Sequence, residues 1–371
     1  MDTFFSGVDY YTIGLVNGLL SIDEENQYVL FTNQPNAAGI GIKKAKNLNI
    51  KKLPHLKTRL KRIKWEHLNL PAIAEKEKLD ILHCPAYICP FFTSKLPYVV
   101  TIHDTIALDY PQFCKISNVL YYNIFLKHTV KKSAKIITVS KDSAQQITQN
   151  FNVCKNKLKV IHPGIDQIFN QSALANHEKE AEIRVKYNLP AKYILFVGNL
   201  EPKKNLINLL HTFKLLSKTN LPHKLLIVGQ RTWKSKKILA QLKKYSNSNN
   251  IILLGYLLRN ELSCIYKMAD LYLSLSFAEG FCFPALEAMA SKTPVVATNV
   301  GILKEIDKGA FYPVKPQNPL KTAQAIYSLI TNKDLRQKQI DIAAKETNRF
   351  KWSLAAQKVL SIYREVTQAY E

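Results

Sequence analysis

Ten short apolar runs rich in β-branched residues alternate with segments of helical period along nearly the whole chain, at residues 28–32, 81–83, 98–102, 135–139, 157–161, 193–197, 224–228, 251–254, 271–275 and 294–297. Between them, apolar spacings of three and four predict helices over 11–20, 119–132, 141–149, 206–216, 234–245, 260–268, 284–290, 320–330 and 335–347. Strands separated by helices pair in parallel through crossovers, so the fold class is α/β with parallel sheets. At 371 residues the chain exceeds what one core usually organises. The polar stretch between Phe169 and Leu189 is the natural boundary. The expected domains are therefore residues 1–175 and 185–350, with a last segment, 351–371.

No run approaches the roughly 20 apolar residues of a membrane-spanning helix, and the first residues carry no secretion signal, so a soluble, cytoplasmic protein is expected. Six scattered cysteines fit reduced thiols. His83, Cys84 and Cys89 lack zinc-ligand spacing. The charge is more telling: 52 Lys and Arg against 28 Asp and Glu give +24, which attracts polyanions. The candidates are nucleic acid, an anionic membrane leaflet or a phosphorylated small molecule. Leu53, Leu56, Leu60 and Ile63 recur at helical spacing opposite Lys57, Arg59, Lys61, Arg62 and Lys64, just before Trp65. That pattern describes a basic amphipathic helix, suited either to a membrane surface or to packing on a sheet with its cations in water.

Three stretches carry chemistry. Leu195-Phe196-Val197-Gly198-Asn199-Leu200-Glu201-Pro202-Lys203-Lys204-Asn205 runs from a strand through a glycine turn and two lysines into a helix start. Such a turn offers amides and ammonium charge to a diphosphate, although an ordinary helix start has the same look. The three-glycine dinucleotide fingerprint is absent, so nicotinamide binding has no support. In Glu279-Gly280-Phe281-Cys282-Phe283-Pro284-Ala285-Leu286-Glu287 two carboxylates stand eight positions apart, with Pro284 suited to a first helical turn. Glu287, on an apolar run, needs a polar partner if buried. Val99-Val100-Thr101-Ile102-His103-Asp104 ends a strand on a histidine, a position that faces ligand crevices in α/β proteins.

With Ser6-Gly7-Val8-Asp9-Tyr10, Ile137-Thr138-Val139-Ser140, His162-Pro163-Gly164-Ile165-Asp166 and Pro294-Val295-Val296-Ala297, these stretches resemble, in order and over nearly the whole chain, the family-4 retaining glycosyltransferases, particularly bacterial mannosyltransferase-like members. The resemblance implies the GT-B fold, two Rossmann-like domains whose parallel sheets face across a cleft. It implies that Lys203 and Lys204 neutralise a donor diphosphate, with Gly198 and Asn199 in the same loop, and that the Gly280 and Phe281 amides bind phosphate or sugar. Glu279 would contact the transferred sugar, Glu287 the ribose, and His103 the sugar from the other domain. Gly7 would let backbone approach the diphosphate.

The activity implied is transfer of a hexose, mannose favoured, from GDP-mannose or a UDP-hexose to a lipid-linked or cell-surface glycan at the inner membrane face. No cofactor is implied, and no Asp-x-Asp pair suggests an obligatory metal. The resemblance also implies that the last helix, with Leu354, Val359, Ile362, Tyr363 and Val366, crosses back to the first domain. Two features depart from the family. Asp9 and Tyr10 stand where a second glycine is usual, and Asp2 matches the position just after the family's first strand, so either that strand is missing, which would expose a sheet edge or weaken the first domain, or the true start lies upstream. A nucleotide-sugar epimerase or phosphorylase of the same fold, or a catalytically silent relative, are the alternatives. A basic nucleic-acid-binding protein is the weaker one, because no binding motif accompanies the charge.

Overall fold

The computed structural model describes residues 5–32, 41–54, 58–91, 96–170, 177–232, 238–242 and 250–370. They form two units, Met1–Gly164 with Phe350–Glu371, and Ile165–Arg349. Asp2, Leu56, Lys57 and most of the helix expected over 234–245 lie outside the described residues; 238–242 are helical.

The first unit opens with α1 (Gly7–Leu20), started by a capping box: the Ser6 hydroxyl and amide donate to Asp9 Oδ2 at 2.6 and 2.7 Å. Asp9 is thus committed to the helix end, where the macrodipole favours a carboxylate. Strands β1 (Tyr28–Thr32) and β2 (Leu48–Lys52) pair in parallel from Tyr28↔Leu48 to Thr32↔Lys52. Helix α2 (Arg59–Lys76) follows, capped by Thr58. It begins later than the amphipathic pattern predicts, because Leu53 continues the β2 ladder by donating its amide to Thr32 O.

Strands β3 (Leu82–Cys84), β4 (Tyr98–Thr101), β5 (Lys135–Thr138) and β6 (Leu158–Val160) make a parallel sheet in the order β3-β4-β5-β6, interspersed with α3 (Ile106–Asp109), α4 (Ile116–Lys132) and α5 (Lys141–Phe151). Tyr98, Val100, Ile102, Leu126, Ile136 and Ile147 form its core, and Phe31 of β1 packs on the same core. Each fully buried side chain of this kind contributes about 1.5–3 kcal/mol relative to exposure. Among the described residues, β1 and β3 each have a strand partner on one edge only.

The second unit holds α6 (Gln167–Asn170), α7 (His177–Lys186), β7 (Tyr193–Val197), α8 (Leu206–Leu216), β8 (Lys224–Val228), β9 (Ile251–Gly255), α9 (Arg259–Met268), β10 (Leu271–Ser274), α10 (Phe283–Ala290), β11 (Val295–Thr298), β12 (Tyr312–Val314), α11 (Pro319–Thr331) and α12 (Lys333–Thr347). Its six parallel strands run β12-β11-β10-β7-β8-β9. That is the order of the dinucleotide-binding folds, with its reversal of direction between β7 and β10. Residues 193–196, 225–227 and 271–274 are buried, as both faces of such a sheet are covered by helices.

The division falls at Gly164 and Ile165 rather than in the polar stretch after Phe169. The reason is α7, whose residues read as linker from composition. Ile183 is buried, and two ion pairs, Lys186–Glu261 at 2.6 Å and Glu180–Lys267 at 2.6 Å, fasten α7 to α9. From Phe350 the chain rejoins the first unit as α13 (Trp352–Gln368), which packs along α1 with Ala355, Ala356, Val359, Ile362 and Val366 buried.

Candidate active site

Ligands in open α/β sheets bind beyond the carboxyl ends of the strands where the strand order reverses. In the second unit that place is fixed by β7 and β10, and both chemistry-bearing stretches leave from it. After β7 the backbone turns at Gly198, whose φ of +152° is rarely adopted by residues with a Cβ. The chain then makes a 3-10 turn over Pro202–Lys204 and enters α8 through Asn205, in left-handed conformation and held by its side-chain amide on Pro316 O at 2.7 Å. After β10 it reaches Glu279 and enters α10 through Cys282, also left-handed at φ +74°. The amide of Phe277 donates to Lys203 O at 2.9 Å, stitching the two loops together.

The stitch brings Lys203, Lys204 and Glu279 into one cluster. Lys204 Nζ lies 2.5 Å from Glu279 Oε1 and Lys203 Nζ 3.8 Å from Oε2, with Glu279 only 8% exposed. Burial alone would push the Glu279 carboxyl up. Lys204, then Lys203 and hydrogen bonds from Lys204 and Ser276, outweigh it and bring it down to about 2. The carboxylate is therefore ionised at neutral pH. Gly280 and Phe281 follow directly, both buried, with Phe281 O accepting from the Ile302 amide. Beside them the Cys282 thiol is raised to about 12 by burial and by Glu279, so it is no nucleophile. Asn199 is exposed, its amide 3.4 Å from Glu201 Oε1.

Glu287 stands apart from this cluster. It is buried on α10, where Arg259 Nη2 reaches Oε1 at 3.1 Å and the Tyr266 hydroxyl donates to Oε2 at 3.2 Å. Arg259 also holds Asp166 Oδ2 through Nε at 3.1 Å and lies 4.7 Å over the Phe169 ring. Burial raises the Glu287 carboxyl, opposed by Arg259 and Tyr266. The sequence required a partner for a buried Glu287 without revealing which. Arg259 is 28 positions away on another helix, and nothing in local pattern links the two.

Because burial penalises the ionised carboxyl, an Arg259→Leu variant is expected to be destabilised more at pH 8 than at pH 5. With the folded pKa raised further above the unfolded value, the cost grows as pH rises through and beyond the carboxylate range. Thermal melts at the two pH values, differing by several degrees, check this.

A second missed residue is Gly229, just after β8. A Cβ there would meet Gly198 O at 1.9 Å, so the turn after β7 closes only because the residue that follows β8 is glycine.

Gly7 and His103, the other residues named from the sequence, lie in the first unit. Gly7 is the first residue of α1, and a Cβ on it would meet nothing within 4 Å. His103 follows β4, packed between the rings of Tyr11, perpendicular to it at 4.7 Å, and Tyr87, tilted at 5.3 Å, between ring centroids. Its Nε2 donates to Pro85 O at 2.8 Å, which places the proton on that nitrogen. Burial lowers its pKa against the opposing effects of Pro85 and Asp104, leaving a neutral imidazole. Asp104 does not orient the ring by a hydrogen bond. Its oxygens accept from the Ile106 amide and the Tyr87 hydroxyl. His83, beside Cys84, is occupied on both nitrogens, by the Tyr363 and Thr101 hydroxyls at 2.6 and 2.8 Å.

The comparisons agree with this geometry. Residues 5–167 match the model of Glycosyltransferase Family 4, and residues 179–346 that of Glycosyl transferases group 1. An uncharacterized glycosyltransferase of Methanocaldococcus jannaschii is 29% identical over 304 residues, 78% of this chain and 76% of that protein. The O-antigen chain mannosyltransferase B of Escherichia coli is 25% identical over 286 residues, 76% and 74% of the two chains. Anabaena HepE, solved in complex with UDP and glucose, superposes with a TM-score of 0.72 at 16% identity, covering 96% of this chain and 95% of its own. Two family models in series over a Rossmann-like sheet with its lysine and carboxylate cluster at the switch point leave one assignment: the chain belongs to the family-4 glycosyltransferases of the GT-B fold.

Proposed function

We propose that the chain is a retaining hexosyltransferase, cytoplasmic and peripheral to the membrane, that moves a hexose, mannose favoured, from a nucleotide-diphosphate sugar to a lipid-linked or cell-surface glycan. The observation that carries this reading is the Lys203, Lys204 and Glu279 cluster at the β7/β10 switch point. The mannose preference is supported by the similarity to the O-antigen mannosyltransferase; the HepE complex supports a nucleotide-sugar donor in general.

In the transfer, the bond from the anomeric carbon to the diphosphate oxygen breaks and its electron pair leaves with the nucleoside diphosphate. The acceptor hydroxyl oxygen bonds to the same face of the anomeric carbon, and its proton passes to the departing phosphate oxygen. The charge that develops is anionic and sits on the diphosphate. Lys203 and Lys204, with the Gly198 turn and the Gly280 and Phe281 amides, supply preorganised positive potential there. Glu279, kept ionised, accepts from sugar hydroxyls and holds Lys204 in place. Glu287, fixed by Arg259 and Tyr266, receives the ribose. His103, neutral, orients the sugar rather than donating a proton. The lysines stand in for a divalent cation, so chelator is expected to leave turnover unchanged.

The test is release of nucleoside diphosphate from GDP-mannose, UDP-glucose and UDP-N-acetylglucosamine with membrane lipid extract, in wild type, Glu279→Ala and His103→Ala. Turnover of none of the three donors would sink the proposal. Gly7→Ala separates binding from folding. With nothing within 4 Å of the new methyl, the melting temperature is expected to hold. If the donor approaches this backbone, kcat/KM falls by on the order of 10²-fold.

A further inference from the structure

Helix α4 presents large aliphatic side chains to solvent in a line. Ile116, Leu120 and Ile124, four residues apart, are 75%, 59% and 62% exposed, while Leu126 and Val130 on the opposite side are buried in the first unit's core. The helix contains no Asp or Glu. Its exposed residues at either end of the stripe are lysines, Lys115 before it and Lys127 and Lys131 after it. An apolar stripe left in water is unfavourable unless something covers it.

We infer that this face of α4 inserts into an anionic lipid surface. The charge pattern selects the occupant. A nucleic acid has no use for a row of aliphatic side chains. A second copy of a chain carrying +24 would set lysines against lysines. A bilayer interface takes both halves: the aliphatics enter the acyl boundary, and the lysine stems lie along it with their ammonium groups among anionic headgroups.

Helix α2 extends the surface. The His67 ring of α2 stacks on Phe125 of α4 at 4.9 Å, and Phe91, in the loop after β3, bridges the two helices by donating its amide to His67 Nδ1 at 2.9 Å and stacking on His128 of α4 at 4.1 Å. Leu60 of α2 is 79% exposed beside Lys61 and Arg62. The basic start of α2, with Lys61, Arg62 and Lys64, is thus the cationic flank, and α4 supplies the insertion. The inference rests on the proposed lipid-linked acceptor for its purpose, since it would hold the enzyme where such an acceptor lies.

The full chain is tested by sedimentation with vesicles of phosphatidylethanolamine and phosphatidylglycerol, and with vesicles of phosphatidylcholine. Wild type is expected to bind the first and not the second. The triple variant Ile116→Ser, Leu120→Ser, Ile124→Ser is expected to lose at least about tenfold in partitioning, about 1.4 kcal/mol, with an unchanged melting temperature. A Leu120→Trp variant checks insertion directly: its added fluorescence should shift to the blue and be quenched by bromolipids. Wild-type partitioning by the triple variant, no wild-type binding to anionic vesicles, or an unquenched signal from the introduced indole would overturn the inference, as would a dimer that the triple variant makes monomeric with vesicle binding intact. Nucleoside diphosphate release from the three donors with membrane lipid extract is read separately. Its absence alongside normal vesicle binding would defeat the transferase proposal and leave this surface standing.

Discussion

Replacing Lys204 with alanine is expected to lower turnover by about 10³-fold and to cost the second unit about 3–5 kcal/mol of stability. The two losses have one origin. Lys204 is 2.5 Å from a carboxylate that is 8% exposed, and after its removal only Lys203, at 3.8 Å, faces Glu279. A buried charge stripped of its nearest partner loses more than the pair was worth, because the desolvation cost remains. For a unit of this size the melting temperature should fall by on the order of 10 °C.

The double variant Lys204→Ala, Glu279→Ala separates the effects: stability should largely return, while turnover stays low because the diphosphate has lost its main cation. Recovery of turnover in the double variant would show that Lys204 acts only as a counter-charge to Glu279. The sign of the pH dependence follows from the depressed carboxyl, whose ordinary value is 4.5 and whose folded value is about 2. Its contribution is fully present above the ordinary value and is lost as pH falls toward 2. Wild type should thus lose thermal stability between those values, and the Lys204→Ala variant should lose less, having less of that interaction to give up.

The pairing of Lys204 with Glu279 also marks how far the sequence could be read. Each residue was legible locally, one after a glycine turn and the other before a helix start, with separate duties on diphosphate and sugar. Their contact spans 75 positions and arises from the strand order, which joins β7 to β10 and is invisible to any window of local pattern. The same holds for Arg259 on Glu287. Two strands escaped the reading for a different reason. Leu48–Lys52 alternates weakly and ends in two lysines, and Tyr312–Val314 is three residues long with a proline at its centre. Both are edge strands, where proline and charge are tolerated. Conversely, the inner strands announced themselves because both of their faces are covered, which demands apolar residues at nearly every position.

The return of α13 to the first unit gives a change in folding of similar size. The Trp352 ring lies against Gly14 of α1, and the backbone at Lys351 and Trp352 runs so close to Gly164 that a Cβ there would meet Trp352 N at 2.3 Å and Lys351 C at 2.8 Å. A side-chain clash can be relieved by a rotamer change, but a clash with backbone moves the chain. Gly164→Ala should therefore displace the start of α13. It should also disturb the buried hydrogen bonds from Tyr363 through His83 and Thr101 to Tyr11, which tie α13, β3, β4 and α1 together. We expect a loss of at least about 3 kcal/mol, roughly 10 °C in the melting of the first unit, with hydrogen exchange rising in α1 and α13 and the second unit's transition unmoved. Gly7→Ala, the same change at a glycine that touches nothing, is the control. If both variants melt like wild type, the seat of α13 is softer than its contacts indicate. If only Gly164→Ala is destabilised, glycine has two distinct jobs in this chain, closing the fold at one position and leaving room at the other.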